Sequence, residues 1–104
     1  MEKRRPHHDL EAFKRVCGDA ATLSMAQSAR ASARLLGYGT ADVAKVIAGL
    51  TPRMFYKSMT SYHDVRQWQD VYHAIGLSGE RIYLKFTDGI LAEFTILSFK
   101  EKDT

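Results

Sequence analysis

The chain has 104 residues, of which 45% are hydrophobic and 26% charged, with a formal net charge of +3. That length suits a single domain over residues 1–104, since two would each be too small to bury a useful core. The composition excludes a disordered chain, and no apolar run approaches the roughly 20 residues needed to span a bilayer.

One cysteine, Cys17, excludes an intrachain disulfide framework and a multi-cysteine zinc site, and it fits a reducing cytoplasm. Met1–Arg5 is charged, but Pro6-His7-His8-Asp9 follows it in place of an apolar stretch, so no secretory signal is expected. The positive excess lies wholly in Met1–Pro52, while the acids and bases of Arg53–Thr104 balance. A basic site in the second half must therefore come from local placement. The adjacent His7 and His8 read as part of a flexible basic arm.

The first half reads as helices. Asp9 caps a short helix with Leu10, Phe13, Val16 and Cys17 on its apolar side, a Glu11–Arg15 pair, and Gly18 closing the end. A second helix runs from about Ala26 to Leu36, and Gly37 and Gly39 break it. Thr40 is the expected cap of a third, whose Val43, Val46, Ile47 and Leu50 form the clearest helical stripe in the chain. Thr51-Pro52 then starts a turn.

The second half reads as strands. Met54–Tyr62 is rich in aromatic and hydroxyl side chains and is expected to be extended. Val65–Ile75 has both helical and strand character, and we read it as strand from Trp68 onwards. Arg81–Thr87 alternates polar and apolar, and Phe94–Lys100 is strand-like. Helices first and an antiparallel sheet after them define an α+β domain.

The last two strands can pair in two ways. A two-residue turn at Asp88-Gly89 sets Tyr83 opposite Phe94. A longer loop over Ile90–Glu93 sets Tyr83 opposite Lys100, Leu84 opposite Phe99 and Phe86 opposite Leu97. Either way one face carries Ile82, Leu84, Phe86, Leu97 and Phe99, and the other carries Arg81, Tyr83, Lys85, Thr87, Ser98 and Lys100. Tyr83 and Lys100 are neighbours in the second register and roughly 20 Å apart in the first. The polar face is either a solvated sheet surface or a platform on which aromatic and cationic groups hold RNA.

No Walker loop, zinc-protease motif or paired carboxylates are present, and Ser58 and Ser61 have no evident base partner. No metal and no cofactor are expected. What remains is the aromatic–cationic cluster Phe55–Tyr62, Trp68–Tyr72, Ile82–Lys85 and Leu97–Lys102. Lysine, glutamine and tyrosine can act on a phosphodiester without metal when a neighbouring 2′-hydroxyl attacks.

These blocks resemble the MqsR (motility quorum-sensing regulator) toxins, the ribonuclease half of bacterial toxin–antitoxin pairs. Met1–Arg4, Pro6-His7 and Val46–Leu50 share the likeness, which covers nearly the whole chain. The resemblance implies a RelE-like fold, a cytoplasmic protein, and metal-independent cleavage of mRNA at sites with a GC dinucleotide followed by U or A. It implies catalytic roles for Lys57, Gln69, Tyr83 and Lys100. Tyr56, Tyr72, His73, Arg81 and Lys85 are expected beside them as substrate-binding groups. It also implies a cognate antitoxin with a zinc-binding and a DNA-binding module.

Two departures stand out. The family's basic Arg-Pro-type segment after Trp-Gln-Asp-Val-Tyr is replaced by His73-Ala74-Ile75-Gly76, which leaves His73 or Arg81 to compensate for a missing phosphate clamp. The loop around Gly89–Glu93 is longer than usual. The alternative to a ribonuclease is a non-catalytic module that binds RNA or DNA through the same face.

Overall fold

The period-two pattern of the second half folds as an antiparallel sheet in the computed structural model, which describes residues 1–103. Five strands run in chain order: β1 (Glu2–Lys3), β2 (Phe55–Thr60), β3 (Trp68–Ile75), β4 (Arg81–Asp88) and β5 (Phe94–Glu101). Three helices, α1 (Leu10–Cys17), α2 (Gln27–Leu35) and α3 (Thr40–Ala48), pack on one face of it. This is the expected α+β arrangement.

The core lies between the helices and that sheet face. Phe13, Ile47, Leu50, Leu84, Phe86 and Phe99 are fully buried there, each worth about 1.5–3 kcal/mol of transfer free energy. The Phe13 ring of α1 stacks on Phe86 of β4 with centroids 3.5 Å apart, and Phe94 meets both edge-on. Cys17 is buried in the same cluster, and burial raises its thiol pKa, so it behaves as a core hydrophobe.

Helix ends depart from the sequence reading in detail. The first residue outside α3 is Gly39 rather than Thr40, and its N–H donates to the Asp42 carboxylate at 2.9 Å. Asp9 caps α1 through its backbone and not its side chain. Glu11 reaches Lys14, at 3.9 Å, instead of Arg15.

The β4–β5 hairpin takes the long-loop register, with Tyr83 opposite Lys100, Leu84 opposite Phe99 and Lys85 opposite Ser98. Phe86 then faces Ile96 and not Leu97, because Leu97 is the extra residue of a β-bulge. Leu97 therefore leaves the core face, and Phe94, Ile96 and Phe99 supply it. Thr87, expected on the polar face, is buried, and its hydroxyl donates to the Trp68 carbonyl at 2.9 Å. The outer edge of β5 is covered where Ile96 N–H donates to the Ser24 carbonyl and Ala26 N–H to the Ile96 carbonyl.

The amino-terminal segment is not a free arm. β1 pairs with β2, Glu2 opposite Met59 and Lys3 opposite Ser58. Beyond it, the backbone N–H groups of His7 and His8 donate to the fully buried Asp70 carboxylate, at 3.1 and 2.9 Å, and the Ser58 hydroxyl donates to it at 2.6 Å. The His7 ring stacks on Trp68, and His8 Nε2–H donates to the Trp68 carbonyl at 2.9 Å. Three donors thus satisfy a charge that burial would otherwise penalise by several kcal/mol.

Candidate active site

The sheet face away from the helices carries the candidate site. Directly opposed residues of an antiparallel sheet share a face, so the pairing builds rows across the strands. His73, Tyr83 and Lys100 form one row, on β3, β4 and β5. Lys57, Val71, Lys85 and Ser98 form the next, from β2 to β5. Tyr56 is the extra residue of a bulge between Phe55 and Lys57, which turns its ring onto His73, with centroids 4.4 Å apart.

These rows enclose a groove of about 390 Å³ whose lining includes Tyr56, His73, Tyr83, Lys85, Ser98 and Lys100. Glu101, Lys102 and Asp103 line it too. The Lys100 ammonium lies 5.5 Å from the centre of the Tyr83 ring, within cation–π range. The His73 and Tyr83 rings are 6.3 Å apart. Lys57 Nζ lies 5.3 Å from the centre of the Tyr56 ring and donates to the Glu2 carboxylate at 3.0 Å.

The titratable groups of the groove are displaced from their usual values. Burial pushes the Tyr83 phenol up, with the Lys57 ammonium opposing it, so the phenol keeps its proton at neutral pH. Burial, reinforced by Lys102 and Arg81, holds His73 below the ordinary 6.5, so its imidazole is uncharged at neutral pH. Burial and the neighbouring Lys100 lower Lys85. The bond from Lys57 lowers Glu2.

Among the sequence-derived candidates, Tyr56, His73, Tyr83, Lys85 and Lys100 come together in the groove, and Lys57 flanks it. Arg81 sits at the start of β4, two residues from Tyr83. Gln69 shares the face, opposite Met59, but lies four residues up β3 from His73, about 13 Å away along the strand. Tyr72 does not join the site. It is fully buried on the core side, its ring edge-on to Phe55, because neighbours on a strand point to opposite faces and His73 takes the groove. The residue that sequence reasoning missed is Glu2. Its only signal is the pairing of β1 with β2, which no local pattern announces.

Among the described residues no three His, Cys, Asp or Glu side chains are grouped to hold a metal ion. No helix there is long and apolar enough to cross a membrane. What the groove can do chemically is bind a phosphodiester between ammonium groups, stack bases on two tyrosines, and exchange protons through a phenol and an imidazole.

The family described as "Motility quorum-sensing regulator, toxin of MqsA" matches residues 5–101. The mRNA interferase toxin MqsR of Escherichia coli (strain K12) is 41% identical over 102 residues, 98% of this chain and 100% of that protein. With its groove of tyrosines and lysines on an open sheet face, the chain belongs to the motility quorum-sensing regulator (MqsR) toxin family.

Proposed function

We propose that the protein is the toxin of a toxin–antitoxin pair and an endoribonuclease that cleaves mRNA without metal at GC-containing sites, arresting translation and growth. The observation that carries this reading is the Tyr83–Lys100 pair on the open face, flanked by Lys85 and His73. The name of the Escherichia coli relative, an mRNA interferase, supports the reaction class.

The chemistry is an in-line transfer. The 2′-hydroxyl attacks the adjacent phosphorus, an O2′–P bond forms, and the P–O5′ bond breaks. The products are a 2′,3′-cyclic phosphate and a 5′-hydroxyl. His73, uncharged at neutral pH, accepts the 2′-hydroxyl proton. Tyr83, which keeps its proton, delivers one to the departing O5′. Water returns both groups to their starting states. Lys100, Lys85 and Lys57 bear the charge that builds on the phosphoryl oxygens. Lys57, ion-paired to the Glu2 carboxylate, serves as a cation and not as a base. Tyr56 stacks a base, and Gln69, farther up the face, contacts a nucleotide outside the scissile step.

The partner is a cognate antitoxin with zinc-binding and DNA-binding modules, met in the cytoplasm. The family description, a toxin of MqsA, supports an antitoxin partner.

The test is incubation of purified protein with an mRNA containing GC sites in excess EDTA, with transcript ends mapped. Cleavage at those sites, leaving cyclic phosphates, is expected. Intact RNA after long incubation, with salt-dependent binding, would instead identify a non-catalytic binding module.

A further inference from the structure

A second groove, of about 450 Å³, opens beside the first, and His73 lines both. Its rim carries Arg53, delivered by the single 3₁₀ turn Pro52–Met54, and Arg81, which opens β4 opposite Ile75. Its floor is Met54, Phe55 and the half-exposed Ile75. No carboxylate lines it, and among the described residues neither arginine side chain has a hydrogen-bond or ion-pair partner.

We propose that this groove is a nucleotide subsite for the RNA residue next to the scissile step, with Arg53 and Arg81 clamping its phosphate and the apolar floor taking its base. The inference deepens the ribonuclease reading and rests on it. Arg81 is two residues along β4 from Tyr83, about 7 Å, close enough for the adjoining nucleotide of one strand. Guanidinium forks without a protein partner suit a phosphate, which they grip through two parallel bonds. The apolar lining of Met54, Phe55 and Ile75 gives a base a surface to lie against. His73, shared by both grooves, joins the scissile site to the two arginines. His73 is uncharged at neutral pH, so the clamping falls to the two arginines.

The experiment measures KM and kcat for Arg53→Ala, Arg81→Ala and the double variant on oligoribonucleotides of increasing length around one mapped cleavage site. Arg15→Ala, on α1, is the control for net charge. On the longest substrate each single variant raises KM at least about fivefold, with kcat changed less than about twofold, and removes about one unit from the salt slope of kcat/KM, and the double variant removes about two. The penalty shrinks when nucleotides are trimmed from one side of the site only. A penalty independent of length, a loss confined to kcat, or an equal loss in Arg15→Ala overturns the subsite. Wild-type protein that cuts RNA while all three groove variants match it defeats this inference alone. Wild-type protein that leaves RNA intact defeats it together with the ribonuclease reading.

Discussion

Lys100 and Tyr83 occupy directly opposed positions on β5 and β4, with the ammonium 5.5 Å from the centre of the phenol ring. Their nearness is a product of register, since the rival two-residue turn would have separated them along the sheet. Lys100→Ala and Tyr83→Ala should each cut RNA cleavage at least about tenfold, or about 1.4 kcal/mol of barrier. Both side chains stand on the open face, so circular dichroism and thermal midpoint should stay near wild type. Tyr72→Phe should cleave within about twofold of wild type, because its ring belongs to the core. Full activity in both Lys100→Ala and Tyr83→Ala would dismiss the groove as the catalytic site.

The histidines set the response to acid. His73 and His7 both have pKa values held below 6.5, in each case by burial first and by nearby cations second. The unfolded chain therefore takes up protons at a higher pH than the fold does. Their contribution to stability is complete above about pH 6.5 and declines as pH falls through that value towards the folded pKa. Urea unfolding between about pH 7 and 5 should show this loss, and His73→Gln and His7→Gln should each flatten it. The acidic limb of kcat/KM should also lie below 6.5 and vanish in His73→Gln. A limb that persists in that variant would assign the base elsewhere.

On the proposed reading, Glu2 competes with RNA phosphate for Lys57. The ion pair is exposed at its acidic end, so RNA phosphate can displace the carboxylate. Glu2→Gln should lower the KM for RNA by about two- to threefold and steepen the salt dependence by about one charge. Weaker RNA binding in Glu2→Gln would show instead that the carboxylate orients Lys57 productively.

Asp70 locks the amino-terminal segment onto the sheet. Its carboxylate is fully buried and accepts from His7, His8 and Ser58. Asp70→Ala should cost about 3 kcal/mol or more, from bonds worth about 1.5–3 kcal/mol each when one partner is charged. Amide exchange at His7 and His8 should accelerate along with it. Asp70→Asn, which keeps one acceptor oxygen, should fall between. Unchanged exchange at His7 and His8 in Asp70→Ala would mean that the histidine rings, not the carboxylate, hold the segment.

What could be read from the sequence divides along local and distant interactions. The stripe Val43–Leu50, the alternation in Arg81–Thr87 and the aromatic run from Trp68 each signal their own element, and all three form. The face carrying Tyr83, Lys85 and Lys100 follows from the same alternation. The register did not follow, because Asp88-Gly89 is a strong local turn signal, and only pairing along the whole hairpin overrides it. Bulges at Tyr56 and Leu97 break the period that the reading relied on, which moved Leu97 off the core face. Tyr72 sits in the same aromatic block as Gln69 and His73, but strand alternation turns it to the face opposite His73. The amino terminus looks like a flexible basic arm in the sequence because its partner, Asp70, lies some 60 residues away and resembles any other acid there.

Each strand from β2 to β5 lies beside the one made just before it. Such a sheet can grow by successive hairpins, with little loop entropy lost at each step. The closure of β1 on β2 and the pairing of Ser24 and Ala26 with Ile96 each span half the chain or more. Lys100 arrives with β5, so a truncated product ending before that strand has the stacking tyrosines without the ammonium beside them. On the proposed ribonuclease reading, aborted synthesis of this protein leaves fragments that cannot cut the cell's own transcripts.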